Sequence, residues 1–484
     1  MTTTPQQARP RATRSTTGGG WFRAFWRWHF YAAFLVVPVL LVLSGTGLVY
    51  LLRFQLEPLL HADLMKVDQP AGMDFTQPYD AQLAAVEREY PDATVMSMTE
   101  PSGPDRSTVF SVVHEDGSPR DVFVSPWGAE VLGDLNPDAT LSGYAVRLHA
   151  DLMAGTLGDR VTELAACWAI VMALTGYVLF WKGRVARRRR RQARAPGARL
   201  RSTHALVGSV VGVGVLMLLV SGLPWTGVFG GKAQELATAG GSSLWSTDPG
   251  AASNPTSRLD ESLPHSHAHE VPWGMGASEV PRSGEPEQDA GHDSVANVDT
   301  AIAVADDAGL RHPMTVALPT SGGAGGHGSH SGGGGTDVFS VIGYAFDAPT
   351  DERTVHVDRW SGEVASTYGF DDYPTLARVV SHGIGLHEGR SLGLWSFWGA
   401  LLMCVGVVVL CVTGPLMWWR RRPSGSLGAP RGRMPLRGSP LLLTGLVALG
   451  VLLPLFGLSV LVVLVLDHVV VRRVPALAGW FGSA

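Results

Sequence analysis

Cysteine is nearly missing from this 484-residue chain. The three present, Cys167, Cys404 and Cys411, all lie in apolar stretches, and there is no CxxC. That excludes a disulfide framework and an Fe–S cluster held by four thiolates. Cys404 and Cys411 stand one heptad apart and read as small packing residues. Charge is scarce as well: Asp, Glu, Lys and Arg make up 17% of the chain, against roughly 25% in soluble proteins. The near balance of 38 basic and 42 acidic residues excludes a uniformly basic nucleic-acid binder. Walker A and HExxH patterns are missing. A GxGxxG at residues 323–328 sits inside a Gly-rich run with no βαβ unit around it and is a chance match. Asp116-Gly117 is a hairpin turn.

The charge that is present is sorted. Residues 1–28, 182–201 and 420–437 hold 21 of the 38 basic residues and none of the acidic ones. Each basic stretch abuts a long apolar run, the pattern that the positive-inside rule produces in short loops. Five apolar runs, 30–52, 161–181, 204–223, 394–419 and 441–466, are long enough to span roughly 30 Å of hydrocarbon. Aromatic residues such as Trp26, Trp28, Tyr50, Trp181, Trp225, Trp395, Trp418 and Trp419 crowd their ends, as an interfacial belt does. The first run is too long for a signal h-region and reads as an uncleaved anchor. Charge places the N-terminus and both basic loops inside and the two long loops outside. Pro454 leaves open a break of the fifth run into a hairpin.

The chain repeats itself. Leu148-His149 … Thr175-Gly176 … Trp181-Lys182 matches Leu386-His387 … Thr413-Gly414 … Trp419-Arg420 at a constant offset of 238. The first and third runs match more loosely, each opening near a histidine (His29, His204) and closing on Ser-Gly (Ser44-Gly45, Ser221-Gly222) with spacings that differ by two. In the long loops, residues 122–131 resemble 355–364, each an alternating strand, a turn and a second strand. A helical pattern precedes each, over 81–90 and 298–308. The fold class expected is an all-α transmembrane bundle of about five spans, internally duplicated, with two small α+β modules outside the membrane. In order, these are a basic tail (1–28), a span (29–52), an outer module (53–145), an outer histidine segment with the second span (146–182), a basic loop (183–203) and the third span (204–223). A second outer module with a His/Gly-rich insert (224–375), an outer histidine segment with the fourth span (376–419), a basic loop (420–440), the fifth span (441–466) and a tail (467–484) follow. Low-complexity stretches at 230–255 and 322–335 are expected to be mobile.

Histidines recur at matched depths. His29 and His204 share the inner ends of their spans, and His149 and His387 share the outer side. An ionisable group at a span is by default a functional candidate. Imidazole is the usual axial ligand of b-type haem, which needs no CxxCH attachment. Two facing helices giving one histidine each can clamp an iron; the plainer alternative is interfacial anchoring. His382 is a reserve ligand or a proton carrier. Arg147 and Arg378 precede the outer histidines and are candidate propionate partners, since guanidinium matches carboxylate bidentately, or helix caps. His265, His267 and His269, with His327 and His330, suit a loose divalent-metal chelate but no closed tetrahedral site.

The spans with His29, Leu148-His149, His204 and Leu386-His387, each outer one ending in Thr-Gly and Trp plus basic residues, resemble the PepSY-associated transmembrane family, often called iron-regulated membrane proteins. The outer modules resemble PepSY domains, and residues 452–459, Leu466-Asp467 and Arg472-Arg473-Val474-Pro475 are similar to that group's C-terminal span. The resemblance implies a multi-pass protein of the bacterial cytoplasmic membrane with its N-terminus in the cytoplasm. In some members it implies a di-haem reductase of ferric siderophores, an enzyme with two b-type haems, a cytoplasmic electron donor and a ferric chelate as partner. No nucleic-acid partner is expected, and the lipid bilayer is. The alternatives are a non-redox PepSY regulatory or binding protein, and a His-rich protein that handles a metal such as copper.

Overall fold

The computed structural model describes residues 18–249, 258–264, 266, 271–284, 296–319, 338–424, 426–429 and 440–481. The histidines expected to chelate metal (His265, His267, His269, His327, His330) and the stretch 322–335 lie outside the described residues.

The chain opens with helix α1 (Gly18–Leu51), then the short α2 (Arg53–Leu60) and α3 (Ala62–Met65). Helix α4 (Tyr79–Glu89) precedes strands β1 (Ala93–Thr99), β2 (Thr108–His114), β3 (Pro119–Ser125) and β4 (Glu130–Leu135). Helices α5 (Leu141–Asp151), α6 (Gly155–Gln192), α7 (Ala198–Gly222) and α8 (Phe229–Ala239) follow. Then helix α9 (Val298–Asp307) precedes β5 (Thr315–Ala317), β6 (Val338–Ile342), β7 (Arg353–Asp358) and β8 (Val364–Gly369). The chain closes with α10 (Thr375–His387), α11 (Leu394–Trp419), α12 (Pro440–Leu452), α13 (Pro454–Leu466) and α14 (Pro475–Phe481).

Five stretches are long and apolar enough to cross a membrane: Trp21–Leu51, Gly155–Gln192, Ala198–Trp225, Leu394–Trp419 and Pro454–Val471. They expose Leu206, Val213, Leu402, Leu461 and Val463 along their lengths, side chains that lipid covers. The protein is a multi-pass membrane protein. Helix α6 runs well past the expected 161–181 and carries Arg187–Arg191 as helix, because arginine is a good helix former. The expected loop 183–203 thus shrinks to a turn at 193–197, and α7 begins before His204. The expected single span 441–466 is a second correction. Leu453 leaves helical geometry (φ −116°, ψ 87°) and Pro454 restarts the helix. A Cβ on Gly450 would stand 3.2 Å from Gly457 Cα. In a continuous helix those residues lie about 10 Å apart, so α12 folds back on α13. The stretch 230–255 also differs from expectation, since α8 occupies its first part.

The chain divides into two compact units: Met1–Pro38, Leu164–Val213 and Val409–Ala484 in one, Val39–Glu163 and Gly214–Val408 in the other. In the first, the Trp168 indole donates to Ser459 Oγ (3.0 Å) and its ring packs on Phe456, fastening α6 to α13.

The second unit holds the sheet. Two separate α+β modules were expected; the strands instead form one antiparallel eight-stranded sheet, ordered β4-β3-β2-β1-β5-β6-β7-β8. The join is β1 against β5, with Ser97 opposite Ala317, Met98 opposite Val316 and Thr99 opposite Thr315. A strand's side chains alternate between faces, so Phe110, Val112, Val122, Val124, Phe339, Val341, Val355 and Val357 all enter one core beneath α4 and α9. The β1–β5 pairing removes the exposed edges that those strands would otherwise present. Asp299, in the first turn of α9, accepts the backbone N–H groups of Tyr79 and Asp80 at the start of α4 (2.9 Å each), which ties the two helices together.

Candidate functional site

Four of the histidines share one local construction. Thr175 on α6 donates its hydroxyl to Val171 O (2.8 Å), as Ser and Thr in helices do with the carbonyl four residues back. Thr413 on α11 does the same to Val409 O (2.7 Å), Thr46 on α1 to Val42 O (2.9 Å), and Ser221 on α7 to Met217 O (2.8 Å). Each of these oxygens then meets a histidine Nδ1: Thr175 to His29 (3.4 Å), Thr413 to His204 (2.9 Å), Thr46 to His149 (3.0 Å), and Ser221 to His387 (3.1 Å). With its proton already given to a carbonyl, the hydroxyl acts as acceptor. Nδ1 therefore carries the ring hydrogen, and Nε2 keeps its lone pair. Two backbone carbonyls, which only accept, reinforce the assignment: Met172 O lies 2.9 Å from His29 Nδ1 and Leu218 O lies 2.9 Å from His387 Nδ1.

Behind each hydroxyl stands a glycine whose Cβ position faces the histidine ring, tightly at Gly176 and Gly222 and at ordinary contact distance at Gly414 and Gly47. A Cβ on Gly176 would stand 3.2 Å from His29 Cε1, and one on Gly222 would stand 3.2 Å from His387 Cε1. At Gly414 and Gly47 the corresponding distances to His204 and His149 are 3.7 Å and 3.8 Å. The repeat counterpart of Ser221-Gly222, expected to be Ser44-Gly45, is therefore corrected to Thr46-Gly47, and Gly45 has nothing within 4 Å of its Cβ position. With Thr46 in place, the spacing from His29 to Thr46 equals that from His204 to Ser221, 17 residues, and the two-residue discrepancy disappears.

The structure brings these residues together in pairs. The rings of His149 and His387 lie 6.1 Å apart between centroids and stand at 88°. Two imidazoles sharing one iron through Nε2, each Fe–N bond about 2 Å, have centroids about 6 Å apart. In the first unit, His29 and His204 lie near enough to interact electrostatically. A fixed tautomer and a free ring nitrogen are what a haem-ligating histidine requires of its surroundings. Among the described residues there is no group of three or more His, Cys, Asp or Glu arranged to hold a metal ion.

The reserve residues are placed differently. His382 is exposed and packs its ring on Phe370 (5.2 Å). Arg378 donates to the carbonyls of Tyr373 (3.0 Å) and Asp371, so it closes the turn before α10. Arg147 lies over the Tyr144 ring at 6.0 Å. Sequence reasoning missed the carboxylates that anchor the outer histidine helices. Glu57 accepts the Ser142 backbone N–H (2.7 Å) and hydroxyl in the first turn of α5. Glu352, fully buried, accepts from Tyr373 OH (3.0 Å), Ser381 Oγ (3.1 Å) and Arg390 Nη2 (3.1 Å). No local motif marks either residue. Glu163 likewise accepts the Val228 and Phe229 N–H groups (2.9 and 3.1 Å) at the start of α8, which explains why that Gly/Ala-rich stretch folds as helix.

A family model describing the PepSY-associated TM region matches residues 26–421, and the chain belongs to that family. No individual curated protein matches the chain.

Proposed function

We propose that this member of the PepSY-associated transmembrane family binds two b-type haems, one through His29 and His204 and one through His149 and His387. Through them it carries electrons across the bacterial cytoplasmic membrane to a ferric chelate, such as siderophore-bound iron, on the outer side. The observation that carries the reading is the fourfold hydroxyl–histidine–glycine construction, which presents four Nε2 lone pairs in two pairs. Bound haem supplies a one-electron Fe(III)/Fe(II) couple. The protein's own residues do the rest. Thr46, Thr175, Ser221 and Thr413 fix ring tautomer and rotation, and outer-shell bonds of this kind set ligand basicity. The glycines admit the rings, and the apolar helices around them keep water out, which tunes potential. Ferric iron is hard and is gripped by oxygen chelators, whereas ferrous iron is held far more weakly and leaves.

The basic stretches support a cytoplasmic N-terminus, with the sheet and the His149–His387 pair on the outer side. The order helix then four strands occurs twice in the sheet, which supports two PepSY-like repeats merged into one body. The electron donor is a cytoplasmic reductant.

The test is reduced-minus-oxidised spectroscopy with haem quantification on detergent-purified protein. Two haems per chain are expected. His149→Ala or His387→Ala should remove one and spare the other, and His29→Ala or His204→Ala should do the converse. Protein from haem-replete cells with no Soret band refutes the reading.

A further inference from the structure

Three tryptophans far apart in sequence run outward from His387. The Trp225 ring meets the His387 ring edge-on at 5.7 Å. Trp225 meets Trp273 at 5.7 Å and 73°. Trp273 stacks on Trp245 at 3.8 Å and 22°. No step exceeds 5.7 Å between centroids, and Trp245 is only half-buried. Aromatic pairs favour such offset-stacked and edge-to-face contacts, but here the backbone also dictates them. The Ser246 N–H donates to Gly274 O (2.8 Å) and Thr247 Oγ1 to Ala277 O (2.6 Å), pinning the Trp245 segment to the Trp273 turn. Tyr368 OH donates to Ser246 O (3.1 Å) and ties that segment to β8. On the other side, Gln234 of α8 accepts the Leu244 N–H (3.0 Å), and Ser243 Oγ accepts the Trp245 N–H (3.0 Å). The stack is a built platform whose inner end touches a histidine of the outer pair.

We propose that Trp225, Trp273 and Trp245 form the exit path for electrons, and that the solvent-reached part of Trp245 docks the acceptor, a ferric chelate with flat oxygen-donor groups such as hydroxamates or catecholates. The proposal rests on the haem reading above. One electron leaves a ferrous centre at the His149–His387 pair, which becomes ferric, and the ferric chelate becomes ferrous. No bond forms or breaks and no proton moves. The indoles act as a contiguous π-bridge and are neither oxidised nor reduced. Flat ligands stack on indole, while a compact octahedral anion gains little there.

The experiment uses dithionite-reduced holoprotein, mixed anaerobically with ferric acetohydroxamate, or with ferricyanide as an acceptor that has no flat face. Haem reoxidation is followed by stopped flow. Trp245→Leu and Trp273→Leu are expected to slow reoxidation by subsaturating ferric acetohydroxamate by about two- to tenfold, the worth of one aromatic stack. Haem content, reduced spectrum and midpoint potential should stay unchanged, and ferricyanide, with no flat face to stack, should be slowed less than ferric acetohydroxamate. Trp245→Phe should recover most of the rate. Leucine variants that keep both haems and the wild-type hydroxamate rate overturn the exit path and leave the haem reading standing. So does a wild-type holoprotein that the hydroxamate fails to reoxidise. Wild-type protein without haem overturns both.

Discussion

Gly176→Ala separates a histidine cradle from ordinary helix packing. Position 176 lies in the interior of α6, where replacing glycine by alanine stabilises a helix by about 1 kcal/mol. Against that, the new Cβ would stand 3.6 Å from His29 Nδ1 and 3.2 Å from its Cε1, the latter closer than ordinary van der Waals contact. Either the ring or the helix must give by a few tenths of an ångström. Overpacking of this kind costs about 1–3 kcal/mol, so the fold should lose up to about 2 kcal/mol. Because the ring that moves is held at Nδ1 by Met172 O and Thr175, displacing it disturbs the presentation of Nε2, and outer-shell damage typically costs about 10- to 100-fold in ligand affinity. Gly45→Ala is the matched control: it lies inside α1, has nothing within 4 Å of its Cβ, and should gain the helix term alone. Gly414→Ala, whose Cβ meets His204 Cε1 at an ordinary 3.7 Å, should behave like the control. The assay is haem per chain and the reduced α-band, with thermal unfolding of the detergent-solubilised protein. If Gly176→Ala matches Gly45→Ala in haem content, spectrum and midpoint, the cradle argument is wrong.

Thr413→Val keeps the shape of the side chain but removes the oxygen that His204 Nδ1 bonds at 2.9 Å; haem affinity at the His29–His204 pair should fall about 10- to 100-fold, read by haem retention on dilution. Arg390→Met leaves the buried carboxylate of Glu352 and the part-buried one of Glu388 without their guanidinium (3.1 and 2.5 Å), a loss of about 3–5 kcal/mol that thermal unfolding reports; an unchanged midpoint contradicts the assignment. At His312, burial disfavours the charge, but the bonds to Glu100 (2.6 Å) and Asp306 (3.2 Å) prevail and hold the pKa above the usual histidine value. A raised folded-state pKa gives stability that is complete below about pH 6.5 and lost as pH rises through the folded value; the wild-type advantage over His312→Gln should therefore shrink as pH rises above about 6.5, and a pH-independent difference would count against it. Cysteines placed near Asp116 should react with an impermeant thiol reagent in intact cells and those placed at 193–197 should not, the reverse pattern inverting the proposed orientation.

Much of this was legible in the sequence, for physical reasons. Hydropathy and basic clusters mark spans because lipid tolerates little else, and the offset of 238 exposed the matched pairs His149/His387 and Thr175/Thr413. The β3–β4 and β7–β8 hairpins are local, and their alternation is visible. What escaped depends on partners distant in sequence. β5 is three residues long and its pairing with β1 carries no local signature, so the merger of two sheets into one was hidden. In Ser44-Gly45-Thr46-Gly47, two hydroxyl–glycine pairs stand two residues apart. Two residues turn a helix by about 200°, so only one pair faces His149, and hydropathy does not say which. The equal spacing of 17 residues was the available signal. Glu57, Glu352 and the tryptophan run have no motif, because geometry alone unites them.

The merged sheet also fixes the starting points of two histidines 238 residues apart whose rings stand 6.1 Å apart between centroids, although β4 and β8 are the sheet's two outermost strands. β4 leads through the turn Pro137–Ala139 into α5 and His149; β8 leads through Phe370–Asp372 into α10 and His387. Each histidine helix therefore hangs from the last strand of its half. The seam fixes how far apart those strands start: beyond the β1–β5 ladder, Thr99 and Thr315 join hydroxyls at 3.0 Å, and the Glu100 carboxylate takes the Met314 N–H at 2.7 Å. Rotation is then set locally by a buried carboxylate on each side, Glu57 on the first turn of α5 and Glu352 on Ser381 of α10. Two separate modules on flexible tethers would leave that separation to chance. A continuous sheet with one core makes it a property of the fold, which is what holding two imidazoles at a fixed distance demands.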